Sequence, residues 1–517
     1  MSSQQMTTAC FAETTGGDVM GFRYDGVDHY LGIQYGSAER FQPATAFRWQ
    51  GLRYCMVQGE VAPQSTPSAE KNPFDAMNYS HAAVENEKLC LQLNVWTPKT
   101  DSGNRPVLVW LHGGGFFSGS SVEYTFYEGK NLAGSGDVVF VSINHRLNCL
   151  GYLDLSAYGD QYKYTGNLGM TDLILALEWV RDNINAFGGN PGNVTIMGQS
   201  GGGSKVTTLM GMPSARNLFH RAAAFSGGSD LVMRTTKQAR AETETVVKNL
   251  GLNGQSDENI IQHLTRMPYA DLENAGRQAK IFYGPVVDGD IYPDGTYALS
   301  KDISFLCGNV LGEFSTNFGN IVFCSSQQAY EAGIIANMAK EQVITAYEEK
   351  YGDYADDIMT AFQKAYPGHP LAEGLFVNNR SGYFSGRRLA ETMVGFGGTA
   401  YNYVAAYSYP MFGGIVAIHT AGDIPLWFNN TEHIKAWIAG DEKTAIQVSE
   451  IMSKTLLQFA RTGNPALPEL AWEAYNADNE ACMVFDRKSM VRHKHDRKLG
   501  ELIGQAVPEV RFVPPGR

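Results

Sequence analysis

The segment from Gly198 to Gly202 reads G-Q-S-G-G and places Ser200 between glycines. A short apolar run, 194–197, precedes it, and the run 203–210 is compatible with a helix. A serine on a sharp strand-to-helix turn needs small neighbours, because the backbone there is strained and crowded. Such a turn exposes the hydroxyl at a helix N-terminus, where partial positive charge favours a developing anion. Ser200 is therefore a candidate nucleophile, and the alternative is a glycine-rich structural turn.

Three consecutive glycines, Gly113, Gly114 and Gly115, follow His112 in a second segment that reads H-G-G-G-F. Such a run lets backbone N–H groups turn toward a ligand oxygen, which is the geometry of an oxyanion hole. A phosphate-binding loop is the alternative. Against it, the chain has no G-x-x-x-x-G-K-[ST] pattern and no acidic residue placed for dinucleotide recognition. The two segments together indicate acyl transfer by a nucleophilic serine.

Short, continuous apolar runs at 107–111, 138–143 and 194–197 predict strands that are covered on both faces. Between the second and third runs, apolar residues recur at helical spacing, and Gly188 to Pro191 is predicted to end that helix. The recurring residues are Leu173, Ala176, Leu177, Val180, Ile184 and Phe187. Strand, helix, strand in this order predicts an α/β fold with a central, mostly parallel sheet flanked by helices.

The second half of the chain shows weaker patterns. Further strands are predicted at Phe305 to Val310 and from Tyr401 to Tyr403. The stretch from about 230 to 400 is more polar and helix-like, and we interpret it as helical insertions that form a cap. No stretch has the composition of a flexible linker, so residues 1–517 are predicted to form a single catalytic domain.

Composition and charge narrow the possible partners. The net charge of -12 argues against nucleic acid, since phosphate binding needs a basic face. No apolar run reaches the roughly 18 residues of a membrane span, and the N-terminus lacks the features of a secretory signal. The seven cysteines include no C-x-x-C pair, so no metal site is expected. We expect a cytoplasmic protein without a cofactor, and the oligomeric state is left open.

Other segments occur in the order typical of one family. They are L-G-I-Q-Y-G at 31–36, C-L-Q-L-N-V at 90–95, S-I-N-H-R-L at 142–147, A-F-G-G-N-P at 186–191, P-V-V-D-G at 285–289 and F-A-R-T-G-N-P at 459–465. With the serine and glycine segments, they make the chain resemble the type-B carboxylesterase/cholinesterase family of α/β-hydrolases over most of its length. The resemblance implies the α/β-hydrolase fold and a Ser-His-Glu triad.

The resemblance also implies which residues complete the triad. The family's acid follows a G-x-x-x-x-E stretch, which here ends at Glu313. Its histidine corresponds to His419 in A-I-H-T-A-G-D, and the order Ser, Glu, His is that of α/β-hydrolases. The chain has eleven histidines, so most of them must be structural. Asp288 and Asp423 are the rivals of Glu313 for the role of the acid.

The same resemblance assigns the surroundings of the nucleophile. The N–H groups of Gly114, Gly115 and Gly201 are expected to form the oxyanion hole. Four apolar residues are candidates for the substrate pocket, with an ordinary core position as the alternative for each: Phe116, Phe117, Ile281 and Phe282. The implied function is that of a carboxylesterase acting on a small-molecule ester through an acyl-enzyme, without metal or cofactor.

The chain departs from the family pattern at several positions. Gln199 stands where the family usually has Glu, and Gly201 stands where it usually has Ala. The loss of that acid favours neutral esters over cationic ones. The upstream disulfide partner of Cys90 is replaced by Ala62, which leaves Cys55 as the one partner considered. Amide, carbamate or lactone hydrolysis at the same site stays an alternative, as does a non-catalytic, cholinesterase-like binding module.

Overall fold

The structure is a computed structural model that describes residues 8–64, 83–228, 232–313, 339–377, 384–410 and 421–507. The chain divides into two compact units. Of the described residues, the first unit comprises 8–64, 83–223, 228 and 232–303, and the second comprises 224–227, 304–313, 339–377, 384–410 and 421–507. The prediction of a single domain over 1–517 stays a prediction.

The strands of the first unit are β1 (Thr8–Thr14), β2 (Gly17–Tyr24), β3 (Val27–Gln34), β4 (Gly36–Ser37), β5 (Thr45–Ala46), β6 (Leu52–Tyr54), β7 (Gln92–Thr97), β8 (Arg105–Leu111), β9 (Val139–Ile143), β10 (Gly189–Gln199), β12 (Arg234–Thr235) and β13 (Val286–Val287). This unit contains a mixed sheet in the order β1-β2-β3-β7-β9-β8-β10, with β6 beside β2, while β4 with β5 and β12 with β13 form separate two-stranded sheets. β8 pairs in parallel with β9 and β10, β6 pairs in parallel with β2, and the other neighbours in this order are antiparallel. The strand β11 (Arg221–Phe225) has its first three residues in this unit.

Two α-helices of the first unit begin at residues whose side chains cap the helix N-terminus. Thr235 starts one helix with a capping box, and Ser256 caps the next by accepting from a backbone N–H. The helices are α1 (Lys130–Gly136), α2 (Asn148–Tyr152), α3 (Leu168–Asn183), α4 (Gly201–Met210), α5 (Thr236–Asn249), α6 (Asp257–Arg266) and α7 (Tyr269–Gln278). α4 begins directly after Ser200, as the serine segment predicts.

The strand that leads to Ser200 is longer than the sequence predicts. β10 begins at Gly189 instead of Val194 and therefore includes Pro191, which was expected in the turn after the helix. The pairing of β10 with β8 shifts register between Gly189 and Val194. A proline has no N–H to donate to a sheet and is tolerated at such an irregularity. The helix prediction itself is confirmed by α3 and the 3-10 turn Ile184–Phe187 that follows it.

The second unit has its own parallel strands. β14 (Ser304–Val310), β15 (Thr399–Ala405) and β16 (Ala481–Phe485) pair in parallel, and β17 (Met490–His493) closes the edge antiparallel. β14 and β15 confirm the predicted strands at 305–310 and 401–403. The α-helices are α8 (Lys340–Tyr351), α9 (Ala355–Ala365), α10 (Ser385–Gly395), α11 (Ile424–Trp427), α12 (Lys435–Ile438), α13 (Glu442–Thr462) and α14 (Arg497–Ala506).

Several of the family-like segments bind distant parts of the first unit together. Arg146 forms a buried bidentate pair with Asp172, with Nε–Oδ2 and Nη2–Oδ1 distances of 2.8 Å and 2.6 Å. Asn167 exchanges two hydrogen bonds with the backbone of Val286. Cys55 and Cys90 are both free thiols, so the pairing left open for them does not form. The segments that contain Arg146, Asn167 and Val286 therefore stabilise the fold of the first unit.

Candidate active site

Ser200 occupies the sharp turn between β10, which ends at Gln199, and α4, which begins at Gly201. Its φ of 55° and ψ of -121° lie in a region that L residues rarely adopt. The turn is crowded, because a Cβ atom on Gly198 would lie 2.5 Å from the carbonyl carbon of Gly202. Ser200 is partly exposed while Gln199 is buried. The backbone thus has the strain and the glycine neighbours expected of a nucleophile turn.

The glycine loop after β8 packs directly against this turn. β8 and β10 are parallel, so the segments that follow them leave the same end of the sheet. A Cβ atom on Gly201 would lie 2.3 Å from the carbonyl oxygen and 2.5 Å from the nitrogen of Gly115. A Cβ atom on Gly113 would lie 3.7 Å from Cβ of Ser200. The structure therefore brings Ser200, Gly201 and the glycine loop together, and it requires Gly201 to have no side chain.

The carbonyl oxygens in the glycine loop are held by donors. The Gly113 oxygen accepts from Nδ1 of His112 at 2.8 Å, so that nitrogen carries the proton. The Gly114 oxygen accepts from the N–H of Ser118 at 3.0 Å and from its Oγ at 3.1 Å. In a planar trans peptide the N–H points away from the C=O. These contacts therefore fix the directions of the N–H groups of Gly114 and Gly115, which follow those carbonyls.

The four pocket candidates fall into two pairs. Phe117 and Phe282 are half-buried, and their ring centroids lie 6.5 Å apart. The Phe117 ring covers Gly115, since a Cβ atom there would lie 2.4 Å from Cε1 of Phe117. Phe116 and Ile281 are instead fully buried, with 1% and 0% exposure. The first pair lies beside the glycine loop, while the second pair is part of the core.

Glu313 lies in the second unit, three residues beyond the end of β14, and is 2% exposed. Its Oε1 accepts from the N–H of Val310 at 3.1 Å. The rival Asp288 lies in the first unit and accepts from the N–H groups of Asp290 and Tyr292 at 2.9 Å and 3.0 Å. Those two hydrogen bonds close a local turn, so Asp288 has a structural role there.

Asp423, the other rival, is fully buried in the second unit. Its Oδ2 accepts from the hydroxyl of Tyr403 at 2.9 Å and from Nε1 of Trp427 at 3.2 Å. Burial raises the pKa of Asp423 to about 6, against the lowering effect of these two donors. His419 lies outside the described residues.

A buried lysine near the glycine loop was not predicted from the sequence. Lys205 lies on α4, is 0% exposed, and donates from Nζ to the carbonyl oxygen of His112 at 2.9 Å. Burial lowers the pKa of Lys205 to about 7, while the charge of Glu123 opposes that shift. The signal that could have found it is a lysine within a helix of otherwise small or uncharged residues.

Comparisons with known proteins identify the family and the fold of the chain. The family model described as "Carboxylesterase family" matches residues 8–499. Para-nitrobenzyl esterase of Bacillus subtilis is 29% identical, over 92% of this chain and 95% of that protein. Phenmedipham hydrolase of Pseudarthrobacter oxydans is also 29% identical, over 93% and 95%. A solved esterase from Clostridium hathewayi, described as able to hydrolyse aliphatic aromatic polyesters, is 32% identical, with a TM-score of 0.85 and coverage of 97% of this chain and 100% of that one.

The fold is therefore that of an α/β-hydrolase, as predicted. The chain belongs to the carboxylesterase family, and it is a hydrolase of carboxylic esters. No α-helix among the described residues is both long enough and apolar enough to cross a membrane.

Proposed function

We propose that the chain hydrolyses neutral carboxylic esters with Ser200 as nucleophile, His419 as base and Glu313 as the acid that orients His419. The observation that carries the proposal is the contact between the strained turn at Ser200 and the glycine loop, where Gly201 packs on the backbone of Gly115. A nucleophile and several oriented N–H donors at one place are what acyl transfer requires.

In the proposed reaction, the Oγ of Ser200 attacks the ester carbonyl carbon while His419 takes the hydroxyl proton. The N–H groups of Gly114, Gly115 and Gly201 stabilise the negative charge that forms on the carbonyl oxygen. The C–O bond to the alcohol then breaks, and His419 returns the proton to the departing oxygen. Water attacks the acyl-enzyme by the same route and releases the acid.

Two features of the site support a preference for neutral esters. Gln199 is buried beside Ser200 and carries no charge, so no acid at this position attracts a cationic alcohol. The half-buried rings of Phe117 and Phe282 lie beside the glycine loop and offer apolar area. Relatives named for a nitrobenzyl ester and for aromatic polyesters support aromatic groups among the substrates. We infer that the preferred substrates are esters with short to medium acyl groups or with aryl groups.

Substrate preference is tested by steady-state kinetics on p-nitrophenyl butyrate, its matched anilide and butyrylcholine. We expect the highest kcat/KM for the p-nitrophenyl ester. A clear advantage for butyrylcholine would contradict the role given to Gln199. A higher kcat/KM for the anilide would favour the amide hydrolase alternative. Gln199→Glu, which restores an acid, should improve the relative rate with butyrylcholine.

The triad acid is tested by comparing three isosteric variants, Glu313→Gln, Asp288→Asn and Asp423→Asn. Glu313→Gln should reduce kcat by about 10⁴-fold, because the wrong tautomer of the base is favoured. The two aspartate variants should reduce it far less. If Asp423→Asn were the most damaging of the three, the acid would be Asp423 and not Glu313.

A further inference from the structure

Lys205 places a cationic group where burial is costly. Its Nζ contacts the carbonyl oxygen of His112 at 2.9 Å and lies 5.6 Å from the centroid of the Phe116 ring. An ammonium group has three donors, and in the part of the chain that the structure describes His112 accepts from one of them. Methionine would fill a similar volume without the cost of desolvation. Packing therefore does not explain a lysine at this position.

The ionisable groups that face Lys205 come from three other segments. His112 follows β8, His145 follows β9, and their ring centroids are 4.9 Å apart. Burial and then the charge of Lys205 lower the pKa of both histidines well below the ordinary range. Both rings are therefore neutral at physiological pH. Glu123 is the acidic group that favours the protonated form of Lys205.

The hydrogen bond from Lys205 is the first of three that fix consecutive peptide groups of the glycine loop. Lys205 holds the carbonyl of the His112–Gly113 peptide, and the His112 ring holds the carbonyl of the next peptide. Ser118 holds the carbonyl after that. Because each N–H points opposite to its carbonyl, a rotation of the first peptide changes the direction of the N–H groups that follow.

We propose that Lys205 is a positioning residue for ester hydrolysis, whose ammonium group fixes the His112–Gly113 peptide and thereby the N–H groups of Gly114 and Gly115. This inference rests on the proposed function, since it takes those N–H groups as oxyanion donors. A protonated lysine donates a stronger, charge-assisted hydrogen bond than a neutral amine does. Loss of its proton therefore loosens the loop and lowers kcat at alkaline pH.

The test compares Lys205→Met and Lys205→Arg with the wild type, and Lys237→Met, at an exposed lysine of α5, is the matched control. The readouts are kcat and KM for p-nitrophenyl butyrate between pH 6 and 9.5. A third readout is the inhibition constant of a trifluoromethyl ketone, whose tetrahedral adduct carries an oxyanion. Lys205→Met should lower kcat about tenfold at neutral pH, less than the 10²–10³ lost with a whole donor.

Four further results are expected if Lys205 acts on the oxyanion donors. KM stays within about twofold, because substrate binding before the reaction does not need the oxyanion donors. The ketone binds Lys205→Met more weakly by about the same factor as kcat falls. The wild type loses kcat at alkaline pH, and Lys205→Met does not show that decline. Lys205→Arg, which keeps a charge and donors, retains most of the activity.

The outcomes distinguish the proposed ester hydrolysis from the positioning role of Lys205. If the wild type neither hydrolyses the ester nor binds the ketone, the proposed function fails. If the wild type does both and Lys205→Met has the same kcat, inhibition constant and pH profile, the role of Lys205 fails alone. A Lys205→Met protein that does not fold, or that melts well below the wild type, would also overturn the proposal, because Lys205 would then be required for stability.

Discussion

Each of the two units buries a cationic side chain, and the surroundings of the two differ. Lys205, in the first unit, contacts a backbone carbonyl, and burial lowers its pKa to about 7. His369, in the second unit, lies between two carboxylates, with Nδ1 2.6 Å from Oε2 of Glu373 and Nε2 3.0 Å from Oδ2 of Asp486. Burial also opposes the charge on His369, but Asp486 and Glu373 outweigh it and raise the pKa to about 9.

The comparison shows that burial alone does not decide whether a charge stabilises a protein. Removing a charge from water is costly in both units, and in the second unit the paired carboxylates offset that cost. The cation near the glycine loop has no such pair among its hydrogen-bond partners in the described residues. Stability therefore accounts for the ion group of the second unit, while the charge of Lys205 needs a functional explanation.

The largest effect on stability is expected at His369. His369→Leu leaves the buried Glu373 and the partly exposed Asp486 without the cation between them, which should lower the free energy of unfolding by about 3–5 kcal/mol at pH 7. Urea denaturation measures the change. His263→Leu, at an exposed histidine of α6, is the control and should stay within about 0.5 kcal/mol. Equal stability of the two variants would remove the contrast between His369 and Lys205.

The difference in stability between the wild type and His369→Leu is expected to depend on pH. The pKa of His369 in the folded state, about 9, exceeds its ordinary value of 6.5, so the folded state holds the proton more tightly. The stabilisation is fully present below pH 6.5 and is lost as the pH rises through 9. The difference between wild type and His369→Leu should therefore shrink from pH 6 to pH 9.5. A difference that stays constant over this range would argue against a charged His369.

Lys205→Met should change stability in the opposite direction. Its folded-state pKa of about 7 lies below the ordinary 10.5, so the cost is fully present below pH 7 and fades as the pH approaches 10.5. The variant should gain about 2 kcal/mol at pH 6 and less at pH 9. Urea denaturation at both pH values, with Lys237→Met as control, measures this. A loss of stability at pH 6 would mean that Lys205 is well solvated or paired.

Asp423 gives an intermediate case, since its charge meets two neutral donors, Tyr403 and Trp427. Its pKa rises from 3.8 to about 6, so its contribution to stability is present below pH 3.8 and lost as the pH rises through 6. Asp423→Asn keeps the acceptor without the charge and should be about 1–2 kcal/mol more stable than wild type at pH 7.5. The two proteins should be equally stable near pH 4, which thermal melting at both pH values tests.

The parts of the fold that the sequence predicts well depend on neighbouring residues. Continuous apolar runs identify β8, β9 and β14 within two residues of their ends. The glycines around Ser200 predict the turn because the requirement for small residues is local. The start of β10 was predicted five residues late, because Pro191 normally ends a strand and the irregularity that accommodates it depends on β8.

The parts that could not be predicted depend on contacts between distant residues. Lys205 is 93 positions from His112 in the sequence, and His369 is 117 positions from Asp486. Neither pairing leaves a periodic pattern in the chain. Phe116 and Phe117 are consecutive residues directly after the three glycines, yet the Phe116 ring is buried and the Phe117 ring is half-buried. The difference in burial between these two adjacent residues depends on how the surrounding segments pack, which the local sequence does not show.

The proposal that Ser200 is the nucleophile is tested most directly by covalent labelling with an organophosphate, followed by intact mass measurement and peptide mapping. The wild type should take up one label per chain, on Ser200, and lose ester hydrolysis in proportion to the labelled fraction. Ser200→Ala should remain folded, take up no label and have no turnover above background. A label on Ser204 or Ser226, or near-normal turnover by Ser200→Ala, would contradict the proposed mechanism.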